Sequence, residues 1–323
     1  MIDQIKIHLV TPDASVLRTG NRCTAQQWAD LLGEIGCKVS ICGPDQPIDS
    51  EILIALHGER SHDSIVRFRN ERRGGKIVLA MTGTDIYPEP SEKVIKSMEL
   101  SDRIVVLQVK ALEKIPVEFQ KKCRVIVQSA AVRFENSKFD PDFFDICVVG
   151  HFRDVKDPLR AAAASQLLPE TSRIRIRHAG GILDVKFERL IEAEMAGNPR
   201  YEWLGELDET AVAELLSNSR AMVLSSFAEG GARVIGEAIV HRSIVISTEI
   251  DAAVGLLGAD YPAFFKPGES HELSSLMVRL EGGPEFYQQL KTRSELLKPL
   301  FHPKFEKEAW RALISEIGGV SQD

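Results

Sequence analysis

The sequence lacks a strongly basic segment and any long apolar run. Its 323 residues carry a formal charge of −7 and a pI near 5.7, and basic residues form no long run. This excludes the positive surface with which proteins bind nucleic acids or membrane surfaces, so an anionic ligand must be held locally. The first apolar run, IKIHLV at 5–10, is too short for a signal peptide or a membrane span. We therefore expect a cytoplasmic protein with neither nucleic acid nor membrane as a partner.

Cysteine is also scarce. The chain has five cysteines, an odd number, and none of them form a C-x-x-C pair. This pattern favours reduced packing residues, with a metal or redox role as the alternative. The metal-ligand spacing D-x-D occurs in DPD at 140–142, which lies in a polar stretch before a β-rich run and is interpreted as a turn. The sequence thus predicts no metal and no cofactor.

Short β-rich runs alternate with helical patterns along the chain, which is typical of a parallel α/β fold. One helical pattern, TAQQWADLLGEIG at 24–36, spaces its large apolar residues for burial on one face and ends at Gly36. The β-rich runs are IKIHLV, KVSIC, ILIALH, KIVLAMT, RIVVLQ and CRVIVQ, and then, after the polar stretch 133–143, DICVVGH, RIRIRHAGG, YEWLGEL, RAMVLSS and IVIST.

This alternation predicts two doubly wound, Rossmann-like domains that face each other across a cleft. The length and the globular composition, 44% hydrophobic and 27% charged, suit two domains of ordinary size. We expect an N-terminal domain over 1–138, joined by the C-terminal helix 303–323, and a C-terminal domain over 139–302.

The residues that follow the apolar runs are unusually polar. Ligands of open parallel sheets bind beyond the carboxyl ends of the strands, so these segments are expected to line a small-molecule site in the cleft. In the first domain they are TPDASVLRTGNR, HGERS, TGTD, Gln108 and QSA, and in the second GHFRDVK, HAGG, GEL and SSFAEGGAR.

The segment SSFAEGGARVIGEA at 225–238 predicts a strand end, a glycine loop and a helix from about 232 to 240. Gly230 and Gly231 let backbone N–H groups approach an anion at the helix N-terminus. Glu237, about two turns into the helix, would accept hydrogen bonds from sugar hydroxyls. Together with Glu229 this suggests recognition of a nucleotide sugar; the alternative is a pair of solvated glutamates near a helix start.

A second candidate is GHFRDVKDP at 150–158. Arg153 and Lys156 precede an expected helix start at Asp157–Pro158. Two cations at this position can neutralise a diphosphate without a metal, Arg through its planar fork and Lys as a point charge. Taken alone, both could also be ordinary surface charges.

These two segments resemble the nucleotide-sugar glycosyltransferases of GT-B architecture. The resemblance rests on the spacing of Glu229 and Glu237, the intervening glycines, and the paired cations. It implies that Glu229 lies at the donor sugar, that Glu237 holds the ribose, and that Arg153 and Lys156 bind the diphosphate; Leu207, in GEL, is assigned to the same nucleotide-sugar side. The segment HRSIVIST at 241–248 departs from the family, which usually has Gly-x-Pro before this strand.

A narrower resemblance covers nearly the whole chain. The segments that carry it are TGNR at 19–22, ALHGERS at 55–61, TGTDIY at 82–87, VVLQ at 105–108, GHFRDVKDPLRAA at 150–162, NPRYEWLGEL at 198–207 and VGLLGADYPAFF at 254–265. Together they resemble the selenosugar synthases of selenoneine biosynthesis. This resemblance implies a metal-independent hexosyltransferase that joins UDP-N-acetylglucosamine to selenophosphate through a carbon–selenium bond and releases UDP and phosphate.

The first-domain motifs would then form the selenophosphate side. The residues assigned to it are Gly20, Asn21, Arg22, Arg60, Thr82 and Thr84, while His57 and Asp85 join Glu229 as candidate catalytic residues. Selenophosphate is already anionic, so its attack needs no general base. The alternatives stay open: His57 as a strand-end histidine satisfied by backbone, Asp85 as a helix N-cap, and the two threonines as supports of the turn around Gly83.

Two other functions remain. One is a glycosyltransferase of the same fold with a carbon, oxygen or sulfur acceptor, in which His57 or Asp85 is the base. The other is a UDP-sugar-binding sensor without turnover, against which a complete second anion site in the first domain would argue.

Overall fold

The computed structural model describes residues 4–12, 20–134 and 138–318. The chain divides into two compact units. The first comprises Met1–Gln128, Glu229–Gly231 and Pro303–Asp323, and the second comprises Ser129–Ala228 and Ala232–His302. Parts of three sequence predictions lie outside the described residues: 13–19 of the TPDASVLRTGNR segment, 135–137 of the polar stretch, and 319–323 of the C-terminal helix.

Each unit contains one six-stranded sheet, and every strand pairing within both sheets is parallel. The strands of the first sheet are β1 (Lys6–Val10), β2 (Lys38–Cys42), β3 (Ile52–Leu56), β4 (Lys76–Met81), β5 (Arg103–Val106) and β6 (Cys123–Val125). Those of the second are β7 (Phe144–Val149), β8 (Ile174–Ala179), β9 (Tyr201–Trp203), β10 (Ala221–Leu224), β11 (Ile244–Thr248) and β12 (Phe264–Phe265).

The first sheet has the order β2-β1-β3-β4-β5-β6, so the direction of winding reverses between β1 and β3. The second has the order β12-β11-β10-β7-β8-β9, with the reversal between β10 and β7. These are the flavodoxin-like and Rossmann orders of doubly wound sheets. The central strand β3 is apolar throughout, and all five of its residues are buried, because helices cover both sheet faces. The predicted fold class, parallel α/β with two Rossmann-like domains, is therefore confirmed.

Helices connect the strands in both units. They are α1 (Gly20–Glu34), α2 (His62–Glu71), α3 (Glu92–Leu100), α4 (Val117–Gln120), α5 (Arg160–Ser165), α6 (Lys186–Gly197), α7 (Glu209–Asn218), α8 (Arg233–Val240), α9 (Asp251–Leu257), α10 (Ser270–Gly282), α11 (Pro284–Leu297) and α12 (Pro303–Ile317). Among the described helices, none is both long and apolar enough to cross a membrane.

The apolar face predicted at 24–36 is buried, with Trp28, Leu31 and Leu32 inside α1. Trp28 meets Trp310 of α12 edge-on at 4.7 Å, and its indole N–H donates to Glu306 Oε1 at 2.8 Å. The ring contact and the hydrogen bond of the Trp28 indole N–H together pack α12 against α1 in the first unit. The described part of α1 includes residues 20–23, which precede the predicted start and contribute no large buried apolar residue that a periodic pattern would reveal.

The cysteines behave as packing residues in the part of the chain that is described. Four of the five are buried, and none forms a disulfide. Burial raises the pKa of Cys123 to about 11 and that of Cys147 to about 12. Both thiols therefore stay protonated near neutral pH and are poor nucleophiles.

Candidate functional site

In the second unit the winding reverses between β7 and β10. Doubly wound folds bind ligands in the crevice at the carboxyl ends of the strands beside such a reversal, which is here called the β7–β10 crevice. Hydrogen bonds tie the two flanking loops together. The hydroxyl of Ser225 donates to the carbonyls of Lys156 and Asp157 at 3.0 and 2.9 Å, and the N–H of Phe227 donates to Val155 O at 2.8 Å. Ser225 is not among the individually predicted site residues, although it lies at the end of the predicted run RAMVLSS and begins the polar segment SSFAEGGAR.

Arg153 and Lys156 both lie on the loop after β7. Arg153 is exposed and extended, and it precedes a single 3-10 turn, Asp154–Lys156. The predicted helix start at Asp157–Pro158 is wrong. Asp157 adopts a left-handed conformation with φ of +44°, which interrupts the helical course, and α5 begins only at Arg160. The carboxylate of Asp157 accepts a hydrogen bond from Arg160 Nε at 2.6 Å.

Glu237 lies on α8 but closer to the helix start than predicted. It is the fifth residue of α8, just over one turn from the N-terminus rather than two. Its Oε1 accepts from Arg233 Nε at 2.8 Å, and its side chain is 23% exposed. The helix is preceded by Ala232, a left-handed residue with φ of +38°.

Leu207 lies on the segment that follows β9, the edge strand of the second sheet. This segment contacts the loop after β8, because the N–H of Gly180 donates to Gly205 O at 2.8 Å. The assignment of Leu207 to the nucleotide-sugar side stays a prediction.

A buried histidine in β8 is hydrogen-bonded to the start of the loop after β7. His178, in β8, is fully buried and stacks on Phe152 at 4.3 Å. Its Nε2–H donates to Gly150 O at 2.9 Å, because a carbonyl can only accept, so Nδ1 accepts the hydroxyl proton of Tyr201 at 3.0 Å. Burial lowers the pKa of His178 to about 4, and the ring is neutral at physiological pH. In the sequence, His178 was noted only as part of HAGG, one of the polar segments that follow the β-rich runs.

The neutral state of His178 makes a prediction about acid stability. Its pKa is about 4 in the folded chain and near 6.5 in the unfolded one, so below pH 6.5 the unfolded chain takes up a proton that the folded one rejects. The free energy of unfolding should therefore decrease by about 3 kcal/mol, through this group alone, as the pH falls from about 6.5 to 4. Urea unfolding across this range checks it: His178→Gln should be less stable near pH 7 and show a shallower pH dependence. Parallel profiles would contradict the prediction.

Two glycines follow His178 closely. A Cβ on Gly180 would lie 1.9 Å from Gly150 O, so that position has no room for a side chain. The N–H of Gly181 donates to His151 Nδ1 at 3.0 Å. The loops after β7 and β8 are thus in close backbone contact.

In the first unit, the corresponding reversal lies between β1 and β3. His57, directly after β3, is 8% exposed and left-handed with φ of +70°. Its N–H donates to Ala80 O, while its Nδ1 accepts from the N–H of Arg60 at 3.4 Å. The ring proton is therefore on Nε2, which is 3.2 Å from Thr84 Oγ1 and donates to it. Both ring nitrogens of His57 are engaged.

Asp85 joins the loops after β3 and β4. Its side chain is buried, and its two carboxylate oxygens accept the N–H groups of Gly58 and Gly83, each at 2.8 Å. The alternative of a helix N-cap is wrong, because α3 starts seven residues later, where Ser91 is the cap. Nearby, Thr84 is exposed, while Thr82 Oγ1 is buried without a hydrogen-bond partner among the described residues.

Of the other predicted residues, Arg60 lies between β3 and α2, and Glu229, Gly230 and Gly231 form a segment of the first unit. Gly20, Asn21 and Arg22 are the first described residues of α1. A Cβ on Gly230 would be 2.4 Å from the carbonyl of Thr82, so the glycine permits a close backbone approach. Glu229 is half-buried. Among the described residues, no group of three or more His, Cys, Asp or Glu could hold a metal ion.

Comparison with known proteins gives a family and a fold. The model of the family "Glycosyl transferases group 1" matches residues 129–296, more than half of the chain. Sucrose-phosphate synthase from Thermosynechococcus elongatus is 14% identical, with a TM-score of 0.82 over 98% of this chain and 100% of its own. Anabaena Alr3699/HepE in complex with UDP and glucose is 14% identical, with a TM-score of 0.73 and the same coverage. The glycosyltransferase from Rickettsia africae ESF-5 is 13% identical, with a TM-score of 0.75 and again 98% and 100% coverage.

No curated protein matches the sequence at a significant level. At identities of 13–14% the solved structures establish the fold alone, which is the GT-B fold that the resemblance implied.

Proposed function

Because this chain belongs to the glycosyl transferases group 1 family, and is thus a glycosyltransferase, we propose that its donor is UDP-N-acetylglucosamine and its acceptor selenophosphate. The observation that carries the donor half is the β7–β10 crevice of a Rossmann-ordered sheet, lined by Arg153, Lys156 and α8. HepE, of the same fold, was determined with UDP and glucose. This favours UDP as the nucleotide to be tested.

In the proposed reaction, selenium attacks C1 of the sugar. The C1–Se bond forms as the bond between C1 and the β-phosphate oxygen breaks, and its electron pair leaves with UDP. Arg153 and Lys156 neutralise the diphosphate, which lowers the energy of the leaving group. Glu237 accepts hydrogen bonds from the ribose, and Glu229 stabilises the positive charge that develops on the sugar ring. Water then hydrolyses the Se–P bond, giving phosphate and the 1-seleno sugar.

The acceptor half rests on the first unit. Arg22, on α1, offers a guanidinium group to an anion. Thr82 Oγ1, buried without a hydrogen-bond partner in the described chain, and the exposed Thr84 add hydroxyl donors. We assign Gly20, Asn21 and Arg60 to acceptor binding as well, while Gly230, Gly231 and Leu207 belong to the nucleotide-sugar side.

The contacts of His57 and Asp85 favour an acceptor that needs no base. Nδ1 of His57 accepts a backbone N–H and Nε2 carries the proton, so neither nitrogen offers a lone pair to a hydroxyl. Both oxygens of Asp85 accept backbone N–H groups. A general base needs an available lone pair within reach of the proton it removes. An oxygen or sulfur acceptor therefore remains the second candidate, and we interpret His57 and Asp85 as supports of the acceptor loops.

The deciding experiment is a mass spectrum of the products formed from UDP-N-acetylglucosamine with and without selenophosphate. The proposal expects UDP, phosphate and a seleno sugar only when selenophosphate is present. A sugar transferred to an oxygen or sulfur acceptor, with selenophosphate untouched, would support the second candidate. Binding of UDP without any product in either mixture, or with any acceptor tried, would indicate a sensor.

UDP binding provides a residue-level prediction. Arg153→Ala should weaken UDP binding by about 1.5–3 kcal/mol, as expected for the loss of a charge-assisted hydrogen bond. Calorimetry with UDP measures this directly. Arg189→Ala is the matched control, since Arg189 is an exposed arginine on α6 in the same unit and should leave the affinity unchanged. An Arg153 variant that binds like the control would remove Arg153 from the site.

A further inference from the structure

The helix α8 carries one ion pair on an otherwise apolar sequence. In RVIGEAIV, Arg233 and Glu237 are the two charged residues. Arg233 Nε lies 2.8 Å from Glu237 Oε1, and the two side chains are 21% and 23% exposed. The buried positions of α8, Ile235, Gly236, Ala238, Ile239 and Val240, leave Arg233, Val234 and Glu237 on the accessible strip.

Helix stability does not explain this pair. A cation at the first position of a helix opposes the helix dipole, which disfavours positive charge at the N-terminus. An acidic residue four positions before a basic one is the stabilising order, and here the order is reversed. The pair therefore adds little to helix stability and lies beside the β7–β10 crevice, which indicates that its role is functional.

The backbone of Glu237 is fixed as well. His241 Nδ1–H donates to the carbonyl of Glu237 at 2.8 Å, and its Nε2 accepts the N–H of Arg133 at 3.1 Å. His241 is itself buried. Side chain and backbone of Glu237 are thus held from two directions, and the remaining freedom of its carboxylate is restricted by Arg233.

We propose that Arg233 is a positioning residue for nucleotide recognition: it holds Oε1 of Glu237 so that Oε2 is presented to the ribose hydroxyls of the donor. This inference rests on the proposed function, since it requires a nucleotide in the β7–β10 crevice. Arg233 also balances the charge of Glu237, so the carboxylate does not repel the diphosphate bound nearby. Preorganisation of this kind contributes to affinity because the carboxylate need not be ordered when the ligand binds.

The test compares UDP with 2′,3′-dideoxy-UDP, which lacks both ribose hydroxyls, by calorimetry. The wild-type protein should prefer UDP by about tenfold or more, the value of a hydrogen bond to a charged group. Arg233→Gln should lose about tenfold in UDP affinity and leave the affinity for the dideoxy nucleotide nearly unchanged, so that the preference approaches one. Arg233→Lys, which can still reach the carboxylate with one donor, should restore part of the preference.

Arg242→Gln is the matched control, because Arg242 is an exposed arginine just beyond the end of α8 and should keep the full preference. If the glutamine variant fails to fold, Arg233→Met, of similar length and without a hydrogen bond, takes its place. A variant that folds and keeps the wild-type preference for UDP would overturn the role of Arg233 alone. A wild-type protein that binds neither nucleotide would instead overturn the proposed donor, and this inference with it.

Discussion

Glu229→Ala is expected to lower kcat by about 10²- to 10³-fold, the usual effect of removing one preorganised electrostatic group from a reacting centre. The reason lies in its proposed role: a carboxylate at the donor sugar interacts most strongly as positive charge develops on the ring during the departure of UDP. The KM for the UDP sugar should change little, because the ground-state sugar carries no such charge.

Glu237→Ala is the contrasting variant. Hydrogen bonds to the ribose are made about equally in the ground state and the transition state, so their loss should raise KM and leave kcat nearly unchanged. Steady-state kinetics with the donor varied at saturating acceptor separates the two effects. Glu229→Gln, which keeps the shape and removes the charge, should resemble Glu229→Ala. If both alanine variants changed only KM, and by similar factors, the two glutamates would form a binding pair and the proposed division would be wrong.

The strands were predictable because parallel sheets covered on both faces need continuous apolar runs, and such runs are visible in one dimension. ILIALH and KIVLAMT became β3 and β4 for this reason. The strand β12 was missed, since two residues, Phe264 and Phe265, have no periodicity to read. Helix starts were less predictable, because they depend on backbone geometry: the left-handed φ of Asp157 delays the start of α5 to Arg160, and the apolar pattern carries no sign of it.

The same distinction applies to the candidate site. Arg153 and Glu237 could be placed near the carboxyl ends of strands in the second sheet, because these ends can be inferred once the strands are known. The contacts of Asp85 could not, because its two N–H donors, Gly58 and Gly83, follow different strands. The pair of Arg233 and Glu237 could have been found from the sequence, as residues four apart share a helix face.

Backbone strain gives independent support for where the sites lie. His57, Asp157 and Ala232 have positive φ, which is costly for residues with a Cβ. They occur in the loops after β3, β7 and β10, the strands next to the winding reversals of their own sheets. Such conformations persist where the surrounding structure enforces them, and they concentrate at functional sites. Positive φ also occurs at Gln4 and Arg242, which precede β1 and β11, so it marks these three loops but is not confined to them.

The close backbone contact between Gly180 and Gly150, which begins the loop that carries Arg153, predicts a second variant with a large effect. Gly180→Ala should destabilise the second unit by about 3 kcal/mol, at the upper end of ordinary overpacking, because the new Cβ would start 1.9 Å from Gly150 O and 2.6 Å from Gly150 C. A flexible side chain could move away from such a contact, but a backbone carbonyl cannot move without its peptide. The same carbonyl accepts from His178 Nε2, so its displacement also breaks that hydrogen bond.

Gly150→Ala is the matched control for stability, since a Cβ at Gly150 meets no atom within 4 Å. It places a methyl group on the same pair of loops without the clash, and its unfolding should stay close to that of the wild type. Urea unfolding of both variants, followed by calorimetry with UDP on whichever remains folded, measures the two consequences. Gly180→Ala should also weaken UDP binding by about tenfold or more, because the displaced peptide carries the loop of Arg153 and Lys156 with it. Equal unfolding midpoints for the two alanine variants would show that the loop adapts, and the support attributed to Gly180 would then be wrong.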